Sequence, residues 1–383
     1  MSSSNKRIFY ACQSVAITQM GDIGVAAGDV VHGLQSVGMT TNFNLEQAFE
    51  LGQLEIYENI EGTPDVEVTL EKVLDGHRLI YHMATTGVAG GSTSLANRSK
   101  QRADLRLGIF DEGSNNIANA SGDAIHSGDA EVEVYCSGMY VSSISYSIPT
   151  DGNATESVTL VGNEKQWLTG TATETINAAV ANFNGEDAPL SSGVGGVQRR
   201  EDLMLSSSIL PVGIQGVNGA GAGNGLMGTT PRVHLQSISV STDFSREEVL
   251  ELGRKVPYYR PANFPIEVSC EIEAITTSGD FIGAYELGDP ALKSDPVTSG
   301  NNTGEETIFI ALRAGYGFDL GTKNRLSSVS YGGGDAGGGN ATTTYSYTNF
   351  NDLDVQHAGG KFQGAAADYT APITTAWGQG AGS

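Results

Sequence analysis

Apolar and polar positions alternate along this chain in short runs. Val37, Met39, Thr41 and Phe43 alternate with Ser36, Gly38, Thr40 and Asn42; later, Ile238, Val240, Thr242 and Phe244 alternate with Ser237, Ser239, Ser241 and Asp243. A period of two with one apolar face predicts half-buried strands. The same pattern sets Val66, Val68 and Leu70 against Glu67, Thr69 and Glu71, and Ile266, Val268, Cys270 and Ile272 against Glu267, Ser269, Glu271 and Glu273. Val132, Val134 and Cys136 alternate likewise with Glu131, Glu133 and Tyr135. Such sheets have one apolar and one acidic face. Between the strands the pattern changes. Ser245-Arg246-Glu247-Glu248 has capping-box spacing, as have Asn44 and Gln47, and Val249, Leu250 and Leu252 form a short apolar stripe. Gly52 and Gly253 suit a left-handed stop. The expectation is a helix of about two turns after each first strand, then an irregular arm, then the next strand.

The pattern is also repeated. LQSVGMTTNFNLEQAFELGQLEIY at 34–57 and LQSISVSTDFSREEVLELGRKVPY at 235–258 share ten identical positions without gaps. VEVTLE at 66–71 pairs with IEVSCE at 266–271 after a one-residue shift; SSISY at 142–146 pairs with SSVSY at 327–331, and Asn153-Ala154-Thr155 with Asn340-Ala341-Thr342. Ordered matches of this kind mark a duplicated domain. The expected boundaries are a first domain at 1–184, a linker at 185–197, a second domain at 198–360 and a C-terminal extension at 361–383. A second Gly-rich loop falls at 216–228. The fold class this predicts is mainly β: two tandem sandwich or partial-barrel domains, each with a short flanking helix.

Composition agrees. With 51 glycines among 383 residues and no long helical periodicity, many short strands and turns are expected. The formal net charge of −23 argues against clasping nucleic acid, which needs Lys and Arg to displace counterions from phosphates. It does not argue against standing beside nucleic acid, and by itself it fits simple solubility. Cys12, Cys136 and Cys270 are too few and too widely spaced for a disulfide framework or a zinc site. No apolar run is long enough for a membrane span, and the N-terminal stretch reads as no signal peptide, so a cytoplasmic site of assembly is expected.

No motif for catalysis, cofactor or metal stands up. Gly332-Gly333-Gly334-Asp335-Ala336-Gly337 fits G-x-G-x-x-G but lacks a strand–helix context, and it reads as a loop tip. His32, His77, His82, His126, His234 and His357 lack metal-ligand spacing; a structural role is expected for His32 and His234, which begin equivalent strands. Neither Asp151-Gly152-Asn153 nor Asp352-Leu353-Asp354 fits a calcium loop. The chain is read as no enzyme, with no cofactor.

The segments LQSVGMTTNFNLEQAFELG at 34–52, LQSISVSTDFSREEVLELGRKVPYYRPANFPIEVSCEIE at 235–273 and YSIPTDGNATESVTLVGN at 146–163 resemble the tube subunits of long-tailed bacteriophages. The resemblance covers about a third of the chain. It implies small β-sandwich domains whose inner strands join into a ring-wide β-barrel around a channel for DNA. A chain with two such domains would close the ring as a trimer with pseudo-sixfold symmetry, bound to itself and to other tail proteins. DNA would pass without specific binding, and the protein would belong to the virion tail, assembled in the bacterial cytoplasm. A baseplate, hub or decoration protein, an extracellular β-sandwich adhesin, and a phage-derived injection device remain as alternatives.

Two residue sets carry that expectation. Glu67, Glu71, Glu267, Glu271, Glu273, Glu131 and Glu133 would line the channel and repel phosphates. The arms at 53–65 and 254–265 would meet neighbouring subunits, with Glu55, Glu58 and Glu61 on the first and Arg254, Lys255, Tyr258, Tyr259 and Arg260 on the second.

Overall fold

The computed structural model describes residues 8, 12–21, 30–52, 54–85, 94–110, 130–169, 196–204, 208–211, 214, 233–276, 305–333 and 339–357. Most of the expected linker, the 216–228 loop, the 361–383 extension, His126 and Gly334–Gly337 lie outside these residues. The first half of the chain forms β1 (Gln13–Gln19), β2 (Leu34–Asn42), β3 (Leu45–Phe49), β4 (Ile56–Glu61), β5 (Asp65–Val73), α1 (Ile80–Ala84), α2 (Leu95–Arg98), β6 (Ala103–Ile109), β7 (Val132–Pro149), β8 (Thr155–Gly162) and β9 (Gln166–Thr169). The second half forms β10 (Val233–Asp243), β11 (Glu267–Thr276), β12 (Phe309–Ala311), β13 (Tyr316–Asp319), β14 (Arg325–Gly332), β15 (Thr342–Phe350) and β16 (Asp354–His357). The protein is mainly β, as the alternation predicts. Among the described residues no helix is long and apolar enough to cross a membrane.

Eight strands share one antiparallel sheet in the order β2-β5-β8-β7-β10-β11-β15-β14. Four come from each copy of the repeat, and they come in the same order. Even the irregularities recur: the register shifts between Leu34 and Ser36 and between Leu235 and Ser237, and again between Val141 and Ser143 and between Leu326 and Ser328. The sheet does not close into a barrel within the chain.

Pairing corrects the alignment of β5 with β11. Ser36 faces Glu71 and Ser237 faces Glu273, so the counterpart of Val66 is Val268, two residues beyond the match at Ile266. A two-residue slip leaves every side chain on its own face, so alternation alone cannot detect it.

The apolar face of this sheet is covered. The first half of β7 pairs with β6 and β9, and β6 with β1; β12, β13 and β16 form a separate three-stranded sheet. β7 changes layers at Gly138, which sits at φ +67. Asp104 holds this corner, its carboxylate accepting from Tyr135 Oη, Ser137 Oγ and the Gly138 N–H, each at 2.9 Å. One continuous core joins both copies: Val68, Leu70, Ile144 and Val158 pack with Val240, Val268, Ile272 and Tyr345, under Leu105 and Val134 on one side and Phe318 and Val355 on the other. Each such side chain contributes about 1.5–3 kcal/mol by leaving water. Contacts also cross between copies: the rings of Tyr146 and Phe318 lie 4.5 Å apart, and Tyr316 Oη donates to His77 O at 2.5 Å.

The expected two-turn helices are absent. Residues 45–49 form a strand paired with β4, and residues 246–248 have no regular structure, with Val249 bridged to Tyr259. Asn44 and Ser245 have φ of 46° and 44°, where a helix N-cap needs extended backbone. Their N–H groups are engaged by the preceding side chains, Asn42 Oδ1 at 3.2 Å and Asp243 Oδ1 at 2.7 Å. Such a turn starts a hairpin rather than a helix. Gly52 and Gly253 do adopt left-handed φ, +94 and +89, but at the hairpin tips. The short helix beside the first copy is α1. Its N-terminal N–H groups are capped by the buried Glu156, which accepts from Ile80 N at 2.7 Å and Tyr81 N at 3.1 Å.

Candidate assembly interface

The two copies meet edge to edge. β7 pairs with β10 from Ser237 opposite Pro149 to Asp243 opposite Ser143, with Ile144, Tyr146 and Ile148 of the first copy beside Thr242, Val240 and Ile238 of the second. The ladder continues as Phe244 N–H donates to Ser142 O at 2.8 Å. Beyond it, the Arg246 guanidinium enters the first copy. It donates to Val141 O and Ser99 O, both at 2.7 Å, and to Arg260 O at 2.8 Å, and it lies 4.7 Å from the centre of the Tyr140 ring. Burial pushes its pKa down to about 10, so it stays charged at neutral pH.

The second arm then folds back as a hairpin across the first copy. Val249 bridges Tyr259, and the Tyr259 ring meets Tyr140 edge-on at 6.1 Å. Arg260 is ion-paired with Asp65 of the first copy and with Glu248 of its own arm, and Thr63 Oγ1 donates to Lys255 O. Burial would raise the Asp65 carboxyl, but hydrogen bonds from Asn44 and Arg260 hold it below its usual range. Tyr259 and Arg260 therefore meet the first copy of the same chain. Tyr258 remains exposed, and Arg254 pairs with Glu251 of its own arm at 3.2 Å.

Among the described residues the first arm has no such seat. It is the β3–β4 hairpin, and its Leu45, Phe49, Leu51, Leu54, Ile56 and Tyr57 are all exposed. Glu55, Glu58 and Glu61 are exposed on the same hairpin. An apolar patch of this kind marks an interaction surface. Among the described residues, β2 and β14 each lack a partner on their outer edge. Open edges of this length are hazardous unless something pairs with them.

The solvent face of the eight-stranded sheet is mostly polar, with Val161, Ile275 and Phe350 as apolar exceptions. Glu67, Glu71, Glu267 and Glu271 are exposed on it, and Glu273 is half-buried. Around them stand hydroxyls, with Ser36 Oγ donating to Glu71 at 3.4 Å and Ser237 Oγ to Glu273 at 3.3 Å. Arg325, at one corner, is the only exposed Lys or Arg in these eight strands. Glu131 and Glu133 do not share this face. Glu131 lies just before β7 and is exposed, while Glu133, at the start of β7 in the covering layer, is fully buried and ion-paired to Arg106 at 2.9 Å. The alternation at 131–136 reads like the others because β7 keeps its period of two while passing from one sheet to another.

His32, Asp75 and His77 do come together, with ligand atoms within 4.8 Å of one another. The imidazoles stack at 3.7 Å, His32 Nδ1 is 2.9 Å from Asp75 Oδ2, and Lys72 Nζ is 3.4 Å from Asp75 Oδ1. An ammonium at that distance opposes a second cation, so the cluster reads as a polar lock under the β2 end of the sheet. Arg246, Arg325 and the unlike edges escaped sequence reasoning. Arg325 could have been found by extending the SSISY–SSVSY match two residues towards the N-terminus, where it stands opposite Tyr140.

No family model matches the chain, and no curated protein does. Among solved structures it is similar to the anti-feeding prophage cap, the tube-terminating cap seen by cryo-EM: 15% identity and a TM-score of 0.31, over 44% of this chain and 96% of that one. A likeness this weak bears on neither fold nor function.

Proposed function

We propose that this protein is a structural subunit of a phage-type tail tube, without catalytic activity. Three chains close head to tail into a ring of pseudo-sixfold symmetry, and rings stack into a channel through which DNA passes into the host cell. The observation that carries this reading is the β7–β10 junction. It joins two equivalent four-stranded units edge to edge and leaves the same two kinds of edge open at the ends of the sheet. A head-to-tail interface closes into a ring when its rotation divides a full turn without a rise, and a third of a turn gives three chains. Three chains of eight strands give a barrel of about twenty-four, wide enough for an open channel.

The covered face of the sheet cannot line such a channel, because the second layer lies on it. The solvent face is left for the lumen, with Glu67, Glu71, Glu267, Glu271 and Glu273 on it. Carboxylates repel phosphates, and neutral hydroxyls cannot displace their counterions as Lys and Arg do, which keeps DNA mobile. Other tail proteins would contact the ends of the tube, and the assembled protein would reside in the virion tail. Negative-stain microscopy of the purified protein tests the reading: stacked annular rings of three chains are expected. Monomers would sink it, and closed oligomers that never stack would favour a baseplate or decoration protein.

A further inference from the structure

We infer that β14 of one chain pairs with β2 of the next in the register that β7 and β10 keep within the chain, and that the β3–β4 arm lies on the neighbour's second copy with Glu58 against Arg325. This rests on the ring reading above, and the partner it names is a second copy of this chain.

The chain carries its own template. β14 is the counterpart of β7: Ser143 faces Thr159 of β8, and Ser328 faces Ser346 of β15, each just after the same bulge. β2 is the counterpart of β10 by the same test. Within the chain Tyr146 faces Val240 and Ile144 faces Thr242. Carried over to two chains, Tyr331 faces Met39, Val329 faces Thr41, and the Phe43 N–H donates to Ser327 O. The open edges look like halves of that junction. Tyr331 is 53% exposed where Tyr146 is 1% exposed, and Tyr331 and Phe43 would become buried together.

The arms complete the case. Ala48 faces Glu58 in the first hairpin as Val249 faces Tyr259 in the second, so Glu58 stands in the place of Tyr259. Within the chain Tyr259 meets Tyr140, and the counterpart of Tyr140 is Arg325. Where one junction has an aromatic pair, the other has a carboxylate and a guanidinium. Both members differ together, and the new pair is complementary in charge. Among the described residues Arg325 makes only a long ion pair, 3.8 Å, to Glu305.

Two experiments test this. Glu58→Arg or Arg325→Glu alone should raise the concentration needed for assembly by about tenfold or more, because each sets like charges together. The double variant should recover most of the loss. Oxidising Met39→Cys/Tyr331→Cys protein should yield covalent closed trimers on non-reducing gels, whereas Met39→Cys/Val329→Cys, out of register, should not. If wild-type rings are seen but the charge reversals assemble normally, the arm seat is wrong and the ring stands. If rings form and only the out-of-register pair crosslinks, the pairing is wrong. If wild-type protein forms no rings, both readings fall.

Discussion

Phe43 and Phe244 hold the same place in the two copies of the repeat, yet Phe43 is 59% exposed and Phe244 is fully buried. Both follow the last residue of equivalent strands. The difference lies in the neighbour: β10 has β7 on its outer side, and among the described residues β2 has no strand on the equivalent side. Phe244→Ala should therefore destabilise the unassembled chain by about 3–5 kcal/mol through the cavity it leaves. Phe43→Ala should change that stability by no more than about 0.5 kcal/mol and still prevent assembly. Urea unfolding below the assembly concentration, with sedimentation above it, checks both. Equal losses of stability in the two variants would contradict this account.

Asp75 ties stability to pH. Burial would raise its carboxyl, but the hydrogen bond with His32 and the charges of Lys72 and His77 outweigh it and hold the carboxyl well below the usual range. A carboxylate with a depressed folded-state pKa contributes stability above its unfolded value near 3.8, and that contribution is lost as pH falls through the folded value. Asp75→Asn should cost about 1–3 kcal/mol at pH 7, and the gap to wild type should close in acid below about pH 4. Thermal unfolding across that range measures it; a gap that stays constant would contradict the assignment.

The cysteines should be inert. All three are buried and free, and burial pushes Cys270 up to about 12 and Cys136 up to about 11. Since the thiolate is the reactive form, native protein at about pH 8 should show almost no thiol titration, and unfolded protein should show all three groups. Fast native reaction would mean that these strands open readily.

The polar face can be tested by charge. Replacing Glu67, Glu71 and Glu271 with Lys should leave folding intact, since all three are exposed. Tubes of that variant should retain short duplex DNA, with binding that weakens steeply as salt rises above about 0.15 M. Wild-type tubes should retain none. Binding by wild-type tubes would argue against a lumen that repels phosphate.

Much of the fold is legible in the sequence because it depends on residues near one another. The alternation at 36–43 and 237–244 decided which side chains face the core, and the left-handed glycines at 52 and 253 marked two turns. The duplication announced that the architecture occurs twice. What tertiary structure decided is non-local. Asn44 and Ser245 fit a helix cap and a hairpin turn equally well, and pairing across to Glu58 and Tyr259 selected the hairpin. The two-residue slip between Val66 and Val268 preserves every face, so only hydrogen bonding between strands could detect it. Glu133 alternates like Glu67 but is buried against Arg106, because β7 crosses into the covering layer. The open edges, with Phe43 on one and Tyr331 on the other, follow from strand order, which a local pattern does not encode.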